Sequence, residues 1–402
     1  MIPPLPPAAR SRAALGLTAA AARGRFELQV CTACGAVQYP SREACHRCLG
    51  IELAWRAQDG RGELIAETTI HHSHDPYFRE RLPWRIGLVR LDAGPSLVAH
   101  LPSACPAAPS RVVVAVRLDR AGRGVLIAFP PEEPANMSDD RQLREMSCSV
   151  KSRKILVTDG KTPLGRALVR AVLAAGAGRV WVGHAGSWKD LPDLAALGAL
   201  PGVAFVPLDV TDGCAVRALA GEIGGDVDIL INNAEMHGAP GVASGGGLET
   251  ARAEMDVNYF GLLRLAQDFA PALRSRAAGG ASGASAWVNI LSVFALSSFP
   301  AHGTFSASKA AALSLSQALR AEMRCAGIRV INVFPGPLDD ESSRALPAPK
   351  LAPEALAAAV VAGLRDGIED LYPGEIAQEW LARYRDDPKV LELELAVAEP
   401  RR

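Results

Sequence analysis

Two C-x-x-C pairs with ten residues between them, five short β-prone runs behind them, and a second half of alternating strand-like and helical runs predict a multidomain chain. The expected fold is a zinc ribbon plus a five-stranded OB-type β-barrel, followed by an α/β doubly wound, Rossmann-like parallel sheet. At 402 residues the chain exceeds one ordinary core. Its expected layout is a tail and helix at 1–23, the ribbon at 24–56, the barrel at 57–131, a linker at 132–153 and the sheet domain at 154–395. The 43 basic and 43 acidic residues are mixed along the chain, which leaves no electrostatic footprint for nucleic acid or an anionic membrane. Nor does any apolar run reach the roughly 18 residues of a membrane span.

The first ten residues are Pro-rich, and a helix is expected from there to about Ala22. Arg10 and Arg12 ahead of the run Ala13–Ala22 outline a weak signal peptide. The run is Ala-dominated, however, and the cysteines behind it read as metal ligands, so a leading amphipathic helix is the reading adopted. Those cysteines are Cys31, Cys34, Cys45 and Cys48. Each pair makes a tight turn that presents two thiolates, and two such turns supply a closed tetrahedral site, so the predicted zinc is structural. His46, inside the second pair, is read as a bystander. Cys105, Cys148, Cys214 and Cys325 follow no pairing pattern and read as reduced thiols of a cytoplasmic protein.

Strands are expected at 63–71, 85–91, 96–101, 111–118 and 125–129, where short runs rich in β-branched residues are broken by Gly, Pro and Asp. The barrel lacks the basic groove with interleaved aromatics that single-stranded nucleic acid requires. His71, His72 and His74, next to Asp75, are read as a loop or strand end, because adjacent strand residues face opposite ways. With Pro40-Ser-Arg42 between the cysteine pairs, Gly60-Arg-Gly62 opening the barrel and Phe129-Pro130 closing it, residues 24–131 resemble the rubredoxin-like zinc ribbon and OB-fold family that accompanies thiolases and thiolase-like aldolases. The resemblance implies a module without chemistry of its own, which docks on a thiolase-like enzyme and helps form its acyl-CoA site.

Residues 132–153 are polar and Pro-led, as a linker would be. Beyond them come Lys154-Ile-Leu-Val-Thr158, Leu208-Asp209-Val210, Asn232-Asn233-Ala234, Asn258 in V-N-Y-F-G, Ser292, and Lys309 four residues after Phe305, then Pro335-Gly336. This series resembles the short-chain dehydrogenase/reductase family over nearly all of 154–390. The resemblance implies that Asp209 and Val210 flank the adenine, that Thr158, Asn232 and Ala234 line the cofactor, and that Pro335 and Gly336 lie beside the nicotinamide. It also makes Asn258 the holder of a relay water, Ser292 the carbonyl binder and Lys309 the ribose holder. Two long helices, Arg252–Arg274 and Phe305–Cys325, are the family's pairing elements.

The same series is eroded where cofactor and chemistry meet. Phe305 stands where the family has its catalytic tyrosine, and a phenyl ring has no proton to exchange. The family's T-G-x-x-x-G-x-G loop reads Thr158-Asp159-Gly160-Lys161-Thr162-Pro163-Leu164-Gly165. Asp159 brings a negative charge toward the phosphates, Pro163 removes an amide donor, and Gly165 remains, with Gly160 and Lys161 as partial compensation. After the second strand, Val180-Trp-Val-Gly-His184-Ala185 offers no acid for ribose hydroxyls and no arginine for a 2′-phosphate, and Glu235 adds a carboxylate after Ala234. Weakened binding is therefore expected, with NAD or NADP in doubt. Glu235, His237 and His302 are the residues available as a substitute acid.

Together the two halves point to an accessory subunit of CoA-thioester metabolism of the β-oxidation kind, docked on a thiolase-like enzyme. Its degraded dehydrogenase-like half would be a scaffold that pairs with itself or with an active dehydrogenase homologue. The alternative is a bifunctional protein with an active NAD(P)-dependent 3-hydroxyacyl-CoA dehydrogenase or ketoreductase domain. A third reading is a small-molecule sensor.

Overall fold

The computed structural model describes residues 4–7, 11–132, 137–186, 192–238, 242, 247–279, 283–340 and 349–397. Parts of the expected tail and linker, at 8–10 and 133–136, lie outside the described residues. The chain forms two compact units, one built mainly on residues 3–149 and the other mainly on residues from Val150 onward.

In the first unit, the Ala-rich helix α1 (Leu15–Ala22) lays Leu17 and Ala21 into the apolar cluster that fills the barrel. Its Thr18 hydroxyl accepts from the Gly124 N–H at 3.1 Å. The ribbon sheet has β1 (Glu27–Cys31) at its centre, paired antiparallel with β2 (Val37–Gln38) and β3 (Leu53–Ala57). Strand β4 (Arg61–Ile70), the short helix α2 (Pro76–Arg79), then β5 (Trp84–Leu91), β6 (Ser96–His100), β7 (Ser110–Leu118) and β8 (Gly124–Phe129) follow. The five strands close in the order β4-β5-β6-β8-β7, the five-stranded barrel expected.

Alternation in the sequence decides which face is inside. In β7, Val112, Val114, Val116 and Leu118 are buried while Val113, Ala115 and Arg117 between them are not. Gly60 sits at φ +73°, and a Cβ there would lie 2.1 Å from the Val114 carbonyl oxygen, so both the turn and the close approach demand glycine.

The segment expected as a linker is partly structured. A 3-10 turn at Met137–Asp139 leads into α3 (Arg141–Arg144), capped by Asp140 accepting from the Gln142 and Leu143 amides. Met137, Leu143 and Met146 pack with Trp84, Val125 and Ile127 of the barrel. Glu145 is buried, accepts from Tyr77 Oη at 3.1 Å and forms an ion pair with Arg81, whose Nε lies 3.1 Å from its Oε2. Three apolar anchors dispersed among charged residues are enough to dock a segment whose composition alone reads as solvated.

The second unit runs β9 (Lys154–Val157), α4 (Pro163–Ala174), β10 (Arg179–His184), α5 (Pro192–Gly198), β11 (Val203–Pro207), α6 (Gly213–Ile223), β12 (Ile229–Asn232), α7 (Gly247–Met255), α8 (Leu262–Ala277), β13 (Ala286–Ile290), α9 (Gly303–Arg324), β14 (Arg329–Val333), α10 (Pro353–Asp366), β15 (Asp370–Leu371), α11 (Glu375–Asp386) and α12 (Pro388–Val397). Its seven strands are all parallel, in the order β11-β10-β9-β12-β13-β14-β15. Helices cover both faces of such a sheet, which explains why every residue of β12, β13 and β14 is buried, the asparagines Asn232, Asn289 and Asn332 included. The chain reverses its direction of winding between β9 and β12, and in doubly wound sheets ligands bind outside the strand ends at that point.

A π-helical turn, Asp256–Gly261, joins α7 to α8 and carries Asn258. The long helices expected at 252–274 and 305–325 correspond to this continuous rod from Gly247 to Ala277 and to α9. Among the described residues no helix is long and apolar enough to cross a membrane.

Candidate metal centre and candidate dinucleotide cleft

Cys31 ends β1, Cys34 lies in the turn after it, and Cys45 and Cys48 lie in the turn before β3. Their four sulfurs are all within 4.8 Å of one another, with Cys31 to Cys48 and Cys34 to Cys45 each at 3.6 Å. A tetrahedron of thiolates at the usual Zn–S length of about 2.3 Å has sulfur edges of about 3.8 Å, so the four residues fit zinc. Backbone N–H groups of Cys48 and Arg47 aimed at the Cys45 sulfur draw its thiol down to about 6, while burial and the neighbouring sulfurs push Cys34 up to about 12. His46 takes no part in the cluster. Its Nδ1 lies 3.3 Å from Gln38 Oε1, and its N–H donates to the same oxygen. His71, His72 and His74 fall in the coil after β4, and the four cysteines are the one group of candidate metal ligands found among the described residues.

In the second unit the end of β9 and the end of β12 are tied together through Thr158. Its Oγ1 accepts from the Asn233 and Ala234 amides at 3.0 and 3.1 Å and donates toward Asn232 Oδ1 at 3.1 Å. Asn233 in turn holds the loop, accepting from the Asp159 N–H at 3.0 Å and donating to the Asp159 carbonyl at 2.6 Å. Gly160 and Gly165 are kept for space: a Cβ on the first would lie 2.1 Å from Val182 Cγ1, and one on the second 1.9 Å from the Asp159 oxygen.

The amides at the start of α4 are largely committed. Lys161 N–H donates to Asp159 Oδ1 at 2.8 Å, Gly165 N–H donates to the capping Thr162 Oγ1 at 3.0 Å, and Pro163 has none. Burial pushes the Asp159 carboxyl up from its ordinary value, with the Lys161 amide and the Lys161, His184 and Arg166 charges working against that rise. Asp209 closes its own turn by accepting from the Thr211 amide at 2.9 Å and hydroxyl at 2.7 Å, and Val210 is buried.

A cleft at the strand ends is lined by Ser292, Phe305, Pro335 and Gly336, together with Glu235 and His237. Four expected site residues therefore meet there. Asn258, Lys309, Thr158, Gly160, Gly165, Asp209, Val210, Asn232 and Ala234 are not part of its lining. Asn258 is spent on local structure: Oδ1 accepts from the Met236 amide at 3.1 Å, and Nδ2 donates to the Met236 carbonyl and Ser308 Oγ, each at 2.8 Å. Ser292 caps a 3-10 turn, its Oγ accepting from the Phe294 amide at 3.2 Å.

Lys309 is only 2 % exposed and donates to the Ile290 carbonyl at 3.1 Å. It also pairs with Glu235 Oε2 at 2.7 Å, and its Nζ is 5.5 Å from the centre of the Phe305 ring. The His237 ring stacks on Phe305 at 3.9 Å, and its Nε2 lies 2.9 Å from His302 Nδ1. Neither the Glu235–Lys309 pair nor this stack follows from sequence spacing. The signal available was the carboxylate in place of glycine after Ala234.

Burial holds the His237 imidazole below its ordinary value. The folded state then binds fewer protons than the unfolded one, so stability is full above about pH 6.5 and is lost as pH falls toward the depressed value. The melting temperature should fall less between pH 7 and pH 5 in His237→Phe than in the parent, as read by thermal denaturation at both pH values. An equal fall would contradict a neutral, half-buried His237.

The short chain dehydrogenase family profile matches residues 153–350. The rubredoxin-like zinc ribbon domain of ChsH2 matches residues 18–53, and the C-terminal OB-fold domain of ChsH2 matches residues 55–121. An uncharacterised oxidoreductase of Mycobacterium tuberculosis is 33% identical over 196 residues, 46% of this chain and 55% of that one. Dehydrogenase/reductase SDR family member 7B of Bos taurus is 31% identical over 209 residues, 48% of this chain and 61% of that one. The chain thus spans between about half and three fifths of the curated relatives it matches. A short chain dehydrogenase from Burkholderia cenocepacia, solved in complex with NADP, is 36% identical with a TM-score of 0.56, covering 63% of this chain and 100% of that one. One from Streptomyces avermitilis is 26% identical with a TM-score of 0.51. The chain is a member of the short-chain dehydrogenase family through its second half, joined to a ChsH2-type zinc ribbon and OB-fold through its first.

Proposed function

We propose that this protein is a cytoplasmic accessory subunit of CoA-thioester metabolism, whose zinc-ribbon and barrel half docks on a thiolase-like enzyme and whose dehydrogenase-like half is a scaffold. The observation that carries the reading is the state of the proton-transfer residues. Phe305 is 2 % exposed and has no hydroxyl, and the lysine one turn along is neutralised by Glu235. A missing general acid costs on the order of a hundred- to ten-thousand-fold in rate, and a lysine held by a carboxylate cannot readily assist a replacement. The ChsH2-type modules support a partnered role for the first half. The acyl-CoA ligand and the pairing of the scaffold with itself or with an active dehydrogenase follow by analogy with the family.

The doubt cast on NAD or NADP by the eroded loop gains no support from the Burkholderia cenocepacia relative, which holds NADP. The reading therefore keeps a dinucleotide in this cradle, bound weakly. Pro335 and Gly336 of the cleft wall would hold it, with Thr158, Gly160, Asn232 and Ala234 the positions that the resemblance adds beside them. When bound, it would supply hydride chemistry that Phe305 cannot complete with a proton.

A bifunctional protein with an active NAD(P)-dependent hydroxyacyl-CoA dehydrogenase or ketoreductase half is favoured by one observation. His237 lines the same cleft as Ser292 and touches His302, so an imidazole stands beside the missing hydroxyl. Co-elution of the full chain with a thiolase-like enzyme, without turnover of 3-ketoacyl-CoA and NADPH, supports the accessory reading. Turnover by the chain alone supports the bifunctional one.

A further inference from the structure

We propose that Asp159 and Glu235 act as built-in anions, taking up donors at the strand ends that an anionic dinucleotide would otherwise use, and so set the affinity of the cleft for it. The two carboxylates sit on different segments, yet each has captured a donor. Asp159, between β9 and α4, takes the Lys161 amide at 2.8 Å. Glu235, just after β12, takes the Lys309 ammonium at 2.7 Å. Helix starts attract phosphate because their N–H groups point outward without partners. Here Pro163 lacks one, Gly165 gives its own to Thr162, and Lys161 gives its own to Asp159.

The same logic holds on the β12 side. The buried Lys309 ammonium already has the Ile290 carbonyl as an acceptor, and Glu235 adds a charged one from within the chain. A bound phosphate or ribose would have to displace these carboxylates or tolerate their charge, and both cost binding free energy. Thr158 and Asn233 lie between them and already lock the two strand ends together. The inference deepens the scaffold reading, since a half that satisfies its own cradle keeps its shape without nucleotide.

The test is NADP binding by the full chain at low ionic strength, measured calorimetrically for the parent, Asp159→Asn, Glu235→Gln and the double variant. Asn and Gln keep a hydrogen-bond acceptor while removing the charge. Loss of two like charges along the dinucleotide, Asp159 on the loop before α4 and Glu235 beside Lys309, should tighten NADP by about tenfold or more in the double variant, and each single variant should show part of that gain. Should the double variant melt below the assay temperature, the single variants decide. An NADP affinity unchanged within about twofold in variants that melt like the parent would overturn the inference. Co-elution with the thiolase-like enzyme, measured on the same samples, separates this failure from failure of the accessory reading.

Discussion

Replacing Cys45 by serine is expected to strip the chain of zinc and unfold the ribbon. Without the metal the cysteine turns rest only on a three-stranded sheet in which β2 is two residues long, held to the barrel's apolar cluster through Leu28 with Val37 and Trp55 packed against it. Structural zinc binds zinc-finger peptides with about 10–16 kcal/mol, as large as the whole stability of a typical domain at about 5–15 kcal/mol. Metal analysis after gel filtration should fall from about one zinc per chain to below about a tenth, and limited proteolysis should open the segment around residues 27–57. His46→Ala should keep its zinc, because that ring rests on Gln38 and not on the sulfurs. A Cys45→Ser protein that still holds stoichiometric zinc and resists protease would refute the four-cysteine site.

Phe305→Tyr alone is expected to leave the dehydrogenase-like half without useful turnover. The new hydroxyl would stand at the cleft, where Phe305 already lines the wall. Its neighbour Lys309 would still face Glu235 at 2.7 Å, and the loop before α4 would still carry Asp159 and Pro163. NADPH oxidation with a 3-ketoacyl-CoA should therefore stay at least about a hundredfold below the rate seen when Glu235→Gln and Asp159→Asn are added to Phe305→Tyr. If the single change gave as much activity as the triple variant, the lost hydroxyl would be the only lesion, and the carboxylates would be bystanders.

The fold was legible where one physical constraint dominates a segment. Paired cysteines at two-residue spacing admit one efficient use in such a setting, and the four sulfurs converge as expected. Alternating Val and polar positions set the barrel strands to within about two residues, as in β4, expected from Glu63 and found from Arg61. The second unit was legible because its buried strands alternate with amphipathic helices of ordinary length. The segment around Leu143 and Met146 was hidden, since three anchoring side chains do not change the character of a charged stretch.

At the site, the family resemblance pointed to Ser292, Phe305, Pro335 and Gly336, which share one cleft. It did not foresee that Asn258 would be occupied with Met236 and Ser308, nor that Glu235 would reach Lys309. Those outcomes depend on rotamers and on which strand ends meet, and neither is encoded in local pattern.

The most direct measurement of the central claim is a native mass spectrum of the complex purified gently from its own cells, because one mass reads metal, nucleotide and subunits together. The accessory reading predicts a species in which this chain, carrying one zinc, is bound to a thiolase-like subunit, with nucleotide at most partly occupied. A homo-oligomer of this chain fully loaded with NAD or NADP, and with no other subunit, would contradict it.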